Sequence, residues 1–437
     1  MKKLIAILLG VLLFAFPLAA CASAPDGGRD DGGAAYVDPD FPDGTTENLE
    51  GYDLGAFDLD SYMTPVWNDG GVARAESAFV RKEKDGSIAP IKLLYPIKQI
   101  ASVRSYGLDV LYEEGKDYSL TSDGKLRINP DGAIKAMDYD EFYIDTYDPT
   151  SSAMMPERYG SGAQIYREAI FENGERALGM TEWQIAVTYR HAALWQGSVP
   201  KTQSDRLPRT NAILGGGTAK LKVAVLGDSI SQGWTASGYE NVDIAPHCPP
   251  YAGLFEASLK SKFGEDKVEL RNFSLAGKTS RWALYEQDGV ANFENMLAYA
   301  PDLVVIAFGM NDGVDIPPAD YGDNIESIID KITARNPKTE IVLVSPMLPN
   351  AEIRVNWGNR TPILARQPEY KAVLRRIAGE RTAVAFADVT SVFQAVNARK
   401  RFIDYTSNNV NHPGDYGHRV YAQVLMRTVV GTEKTEI

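Results

Sequence analysis

Apolar positions along the chain change their period near residue 215. Before it, short runs fit strands. Ile91-Lys92-Leu93-Leu94-Tyr95 is an apolar strand candidate bounded by Pro90 and Pro96, and residues 118–128 alternate around Ser122-Asp123-Gly124 until Asn129-Pro130-Asp131-Gly132 stops them. Thirteen of the 22 tyrosines lie in this part, and aromatic residues suit a half-buried pleated surface. The pattern predicts a smaller β-rich accessory domain over 51–214, read as a β-sandwich. After Leu214-Gly215-Gly216-Gly217 apolar runs alternate with helical stripes. Strands are expected at 221–226, 268–273, 303–308, 341–344 and 383–386. Helices are expected at 251–263, along the stripe Ile325, Ile328, Ile329 and Ile332, and around Val420, Val424 and Leu425. Continuous apolar strands interleaved with helices predict an α/β domain over 215–437, a parallel sheet with helices on both faces.

The first fifty residues follow neither pattern. Lys2 and Lys3 precede an apolar run over 4–16 and the small-residue end Pro17-Leu18-Ala19-Ala20-Cys21. That layout is an export signal, and the run is too short for a membrane span. Leu18-Ala19-Ala20-Cys21 is similar to the bacterial lipobox, which implies a signal peptide over 1–20 and a lipid-bearing Cys21 that anchors the exported chain to a membrane of the cell envelope. The plain alternative is an ordinary signal with an incidental Cys. Residues 21–50, crowded with Asp, Gly and Pro, cannot bury enough surface to fold and are expected to be a flexible acidic linker with a reach on the order of 30 Å.

Charge narrows the function classes. A formal net charge of −13 without clustered Lys and Arg excludes a nucleic-acid partner, which needs cations to displace counterions. No HExxH, no Cys/His ligand set and no phosphate-binding glycine loop is present, so neither metal nor cofactor is expected. The two cysteines are Cys21 and Cys248. With lipid on the first, no internal disulfide forms, and Cys248, between prolines in Pro246-His247-Cys248-Pro249-Pro250, is expected to be a structural thiol in an irregular loop.

In a parallel sheet, ligands bind beyond the carboxyl ends of the strands, so the residues after each apolar run carry the chemistry. The first run ends in Gly227-Asp228-Ser229-Ile230, where glycine permits a tight turn and Ser229 stands exposed at a helix start, either as a nucleophile or as a helix cap. The second leads to Ala276-Gly277-Lys278, where the backbone N–H of Gly277 can face a developing oxyanion or simply serve a turn. The third ends in Gly309-Met310-Asn311-Asp312, and Asn311 offers a side-chain donor or a cap. Of the four histidines, His191 belongs to the β-rich part, His247 to the proline loop, and His418 to the start of the last helix, where packing or solvent would claim it. His412 in Asn409-Val410-Asn411-His412-Pro413 remains as the base.

These four pieces in this order resemble the SGNH, or GDSL-type, hydrolase family over about 220–437. The resemblance implies an SGNH-hydrolase-like, flavodoxin-like fold and a serine esterase. In it His412 takes the Ser229 proton, Ser229 attacks an ester carbonyl, and Ser229, Gly277 and Asn311 hold the oxyanion. The family usually places Asp three residues before the His, and here that position is Asn409. Asn409 or a backbone carbonyl then supports a Ser-His dyad, or another carboxylate such as Asp404 or Asp388 reaches the ring. The expected substrate is a small-molecule or polysaccharide ester, an O-acetylated carbohydrate above all, with Trp234 and Trp282 either stacking on sugar rings or filling the core. The alternatives are a lipid esterase, an acyltransferase and a catalytically weakened surface-binding protein.

Overall fold

The change of period near residue 215 corresponds to a change of sheet type. The computed structural model describes residues 59–144, 163–164, 169–172, 175–239, 244–285, 291–350 and 366–430. The expected signal peptide, Cys21 and acidic linker lie outside the described residues.

Gly71–Phe79 (β1), Gln99–Ser105 (β2), Leu111–Tyr112 (β3) and Gln184–His191 (β4) form a four-stranded antiparallel sheet in the order β1-β4-β2-β3. β1 and β4 pair from Gly71↔His191 to Phe79↔Gln184, closing a separation of more than a hundred residues. The hairpin expected around Ser122-Asp123-Gly124 is present, Tyr118–Leu120 against Leu126–Ile128, with Gly124 at φ +75°. Two expectations for this part are corrected. Residues 91–95 are not a strand, since only Ile91 makes a bridge, to Leu126. The run is buried, but side chains satisfy its backbone: Leu94 N–H donates to Glu76 Oε1 at 2.7 Å and Tyr95 N–H to the Tyr189 hydroxyl at 3.1 Å. Nor is the region a sandwich, because the other described β-structure before residue 215 is small two-stranded sheets, and the main sheet packs on a helix instead.

After the helix Pro208–Gly215 (α1) the parallel sheet begins. Its strands are Leu221–Gly227 (β5), Val268–Asn272 (β6), Leu303–Ala307 (β7), Glu340–Val344 (β8) and Val384–Ala387 (β9), in the order β6-β5-β7-β8-β9. The helices are Ser229–Gln232 (α2), Tyr251–Phe263 (α3), Ser280–Tyr285 (α4), Asn292–Tyr299 (α5), Pro318–Arg335 (α6), Gln367–Glu380 (α7), Val389–Asn397 (α8) and Asp415–Val429 (α9). Alternate strand residues point to opposite faces. Val223, Val225, Val305, Val342 and Val344 pack with α3, α8 and α9, whereas Ala224, Leu226, Val304, Ile306 and Leu343 pack with α4 to α7, where Ile325, Ile328, Ile329 and Ile332 are buried as their stripe predicts. The direction in which successive strands are added reverses between β5 and β7, which run parallel, so a crevice opens at their carboxyl ends.

The two segments expected as separate domains share one apolar core, and all described residues fall within one compact unit. The reason lies in α9, on which every residue except Arg427 is buried. Its polar side chains are satisfied by the N-terminal part. Gln423 Nε2 donates to Thr64 O at 2.6 Å, Gln423 Oε1 accepts from Val66 N–H at 3.2 Å, and the Arg419 guanidinium donates to Tyr62 O and Ala75 O, both at 3.3 Å. Glu76 of β1 and Lys400 form a fully buried ion pair, with Lys400 Nζ also donating to Ser77 O at 2.8 Å.

Candidate active site

β5 delivers Ser229 to the sheet edge through a turn that only glycine allows. A Cβ on Gly227 would meet Ser231 Oγ at 2.3 Å and Ala307 O at 2.5 Å, because β5 lies against β7 there. Asp228 caps α2 by accepting from Ile230 N–H at 3.0 Å. Ser229 follows at the first position of the helix and is 4 % exposed. Its Oγ lies 2.8 Å from Nε2 of His412, 183 residues further along the chain.

The other face of the His412 ring explains how it is held. Nδ1 lies 3.1 Å from Nδ2 of Asn408. The orientation of that amide is fixed, because Asn408 Oδ1 accepts from the N–H groups of Val410, Asn411 and His412 at 2.9 to 3.1 Å. Asn409, the residue expected at this place, turns elsewhere: it sits at φ +63°, and its Oδ1 and backbone carbonyl both accept from Asn350 Nδ2 at 2.9 Å. The left-handed backbone, which Asn tolerates, separates the paths of the two neighbouring side chains. Neither aspartate considered for the ring serves it. Asp404 accepts from Phe79 N–H and pairs with Arg401, and Asp388 caps α8 and pairs with Arg375. Asn408 Nδ2 so placed donates to Nδ1 and puts the neutral ring's own proton on Nε2, so general-base action at Nε2 requires the other tautomer, and the amide adds none of the charge that a carboxylate would bring.

Gly277 lies in the turn after β6 at φ +74°, a conformation that disfavours any other residue, and it is exposed at the site. Asn311 follows β7, and its Nδ2 donates to Lys278 O at 2.9 Å, which ties it to the Gly277 turn and leaves its second N–H for another acceptor. Asp312 reinforces the same link by accepting from Ser280 N–H at 2.9 Å and from the Ser280 hydroxyl. Gln232 does so from α2, since its Oε1 accepts from Ala276 N–H at 2.8 Å and from Trp234 Nε1 at 3.2 Å. Burial raises the Asp312 carboxyl to about 6 against its Ser280 hydrogen bonds. Burial also raises Asp228, to about 7, opposed by Ile230 N–H and assisted by the charge of Asp312. Asn408 and Gln232 are site residues that motif spacing does not disclose, and Asp312 lies inside the third motif without an expected role there; the only local sign of Asn408 is the Asn-Asn pair, suited to an Asx turn.

The remaining candidates sort by burial. Trp234 is half-buried, its ring 5.9 Å from that of His412, while Trp282 is core on the far face of the sheet. His418 is buried, not solvent-facing: its Nε2 meets Trp234 O at 3.0 Å, its Nδ1 accepts from Tyr251 N–H at 3.3 Å, and burial lowers its pKa to about 4. His191 stacks on Tyr95 at 3.8 Å in the antiparallel sheet, and Cys248 is a buried thiol, free of any disulfide. Among the described residues no group of three or more His, Cys, Asp or Glu is placed to hold a metal ion, and no helix is long and apolar enough to cross a membrane.

A serine and an imidazole in hydrogen-bond contact at the carboxyl edge of a doubly covered parallel sheet, with two further donors beside them, define an α/β serine hydrolase site. Residues 225–420 match the GDSL-like Lipase/Acylhydrolase family. This part of the chain carries a GDSL-like domain and is an SGNH-type ester hydrolase. Similar solved structures include LAE5, an α/β hydrolase enzyme from the metagenome of Lake Arreo, Spain, at 21% identity, covering 50% of this chain and 100% of that one with a TM-score of 0.38. Axe2, an acetylxylan esterase from Geobacillus stearothermophilus, is 20% identical, covering 49% of this chain and 97% of its own, also with a TM-score of 0.38. No curated protein matches the sequence.

Proposed function

We propose that the protein removes short acyl groups, O-acetyl groups on a carbohydrate first among them, through a Ser229-His412 acyl-enzyme. The observation that carries this reading is the 2.8 Å contact between Ser229 Oγ and His412 Nε2. His412 takes the hydroxyl proton as Ser229 Oγ bonds to the ester carbonyl carbon. The oxyanion faces the N–H groups of Ser229 and Gly277 and the free N–H of Asn311 Nδ2. As the intermediate collapses, the alcohol leaves with the proton from His412, and water activated by the same ring then releases the acid. The Trp234 ring beside His412 favours a small acyl group and offers a flat face to a sugar.

A second reading, a weakened hydrolase acting mainly as a binding protein, draws support from Asn408, which presents an amide donor to Nδ1 where a carboxylate would stabilise the imidazolium. A fluorophosphonate probe separates the two. The esterase labels rapidly and Ser229→Ala abolishes labelling, whereas a binding protein labels no faster than Ser229→Ala. Acetate release from acetylated xylan and acetylated sugars, set beside p-nitrophenyl esters of rising chain length, tests the substrate; a preference for long chains overturns the carbohydrate assignment. The pattern ending at Cys21 supports export and lipid anchoring in the cell envelope. Partition of the expressed protein into detergent, lost in Cys21→Ala, is the expected result.

A further inference from the structure

The turn that follows β2 leaves the antiparallel sheet and reaches the hydrolase site. Its shape is set internally: Ser105 Oγ donates to Asp109 Oδ1 at 2.6 Å and accepts from Val110 N–H at 3.1 Å, Arg104 Nη1 donates to Leu108 O at 3.0 Å, and Leu108 takes φ +63°. The turn also abuts the loop after α2, where a Cβ added to Gly107 would stand 3.2 Å from the Ala245 side chain. Tyr106 at its tip packs with Ala236, Tyr239, Trp234 and Ile244. Its hydroxyl accepts from Asp415 N–H at 3.2 Å, three residues after His412.

That contact closes a frame around the base. The segment after His412 is gripped from the loop behind Ser229, where Thr235 Oγ1 donates to Pro413 O at 2.9 Å and Ser237 N–H donates to Asp415 Oδ1 at 2.8 Å. Gly414 N–H donates to Tyr405 O at 3.0 Å. Of these restraints, only Tyr106 comes from outside the parallel half of the chain. Burial raises the Asp415 carboxyl to about 6, opposed by the Ser237 N–H that reaches Oδ1, while the Tyr106 hydroxyl meets the backbone N–H of the same residue.

We infer that the N-terminal sheet is a working part of the active site and that Tyr106 is a positioning residue, holding the His412 segment at the distance Ser229 requires. The inference rests on the Ser229-His412 esterase reading. A sub-ångström loss of alignment between nucleophile and base lowers the rate of the chemical step far more than substrate binding.

The test uses the full chain with Tyr106→Phe, which deletes the hydroxyl and keeps the ring against Trp234. Turnover of p-nitrophenyl acetate is expected to fall roughly tenfold in kcat with KM within about twofold, and inactivation by a fluorophosphonate to slow in the same proportion, while the thermal midpoint stays within about 2 °C of the wild type. Val110→Ser, an exposed change on the same turn, leaves all three readings at wild-type values. Wild-type kcat in Tyr106→Phe overturns the inference, as does a lowered kcat that comes with an equal rise in KM or a matching drop in the midpoint. Ser229→Ala with undiminished turnover overturns instead the esterase reading beneath it.

Discussion

The parallel sheet and the antiparallel sheet before it use buried polar groups for different ends. In the parallel half β7, β8 and β9 are buried at every position, so polar side chains are driven to the strand ends, where Ser229, Asn311 and Asp312 gather. In the antiparallel half β2 is fully buried at only two of its seven positions, and polar residues of β1 such as Glu76 and Ser77 point inward to meet Lys400 and the backbone of Asp404. One sheet arranges polarity for chemistry, the other for attachment. Inward-facing polar groups are tolerated only where partners satisfy them, so the second sheet is specified by the helix and loop on which it docks.

The sharpest test of that contrast is loss of activity. Ser229→Ala and His412→Ala should each lower turnover of p-nitrophenyl acetate at least ~10³-fold, while Arg127→Ala, exposed on the N-terminal hairpin, leaves it unchanged. A large loss in Arg127→Ala would erase the division of labour. Attachment is probed by Lys400→Met, which leaves Glu76 buried without its cation and should cost about 3–5 kcal/mol in urea unfolding. Wild type should unfold in one transition by tryptophan fluorescence and by far-ultraviolet circular dichroism, since the halves share a core; two separated transitions would show that they are independent.

Smaller effects refine the picture. Asn408→Asp keeps the acceptor that binds three backbone N–H groups and places a carboxylate at His412 Nδ1, so kcat is expected to rise roughly tenfold. An unchanged or lower kcat would show that the amide suffices. The least effect concerns the junction itself. The Asp415 carboxyl stands at about 6 against an ordinary 3.8, so the folded chain binds this proton more tightly than the unfolded one. Its contribution to stability is complete below about pH 4 and is lost as pH rises through 6. In Asp415→Asn the fall in unfolding free energy from pH 5 to pH 8 should shrink by about 1 kcal/mol, and an unaltered fall would mean that the acid is not buried in solution.

Much of the hydrolase half was legible in its residues. Leucine and valine runs with glycine at their ends located the strands to within a residue or two, as at 221–226 against Leu221–Gly227, and the isoleucine stripe located α6. In the N-terminal part the same reasoning found the hairpin at Gly124 but mistook residues 91–95 for a strand, because an apolar run buried by side-chain hydrogen bonds has the same local pattern as one buried in a ladder. At the site, spacing pointed to Asn409, while a left-handed turn put Asn408 against the ring.

Alternating period and the order of glycine, serine, asparagine and histidine determined by themselves the parallel sheet and the edge where its chemistry gathers, since strand burial and tight turns are local properties. Only the tertiary structure decided that Gly71–Phe79 pairs with Gln184–His191, that Arg419 and Gln423 on the last helix face protein rather than water, and that a tyrosine from the turn after β2 touches the segment carrying the base. A polar side chain is stable inside or outside according to the partner it meets, and these partners lie more than a hundred residues away, beyond the reach of any local pattern.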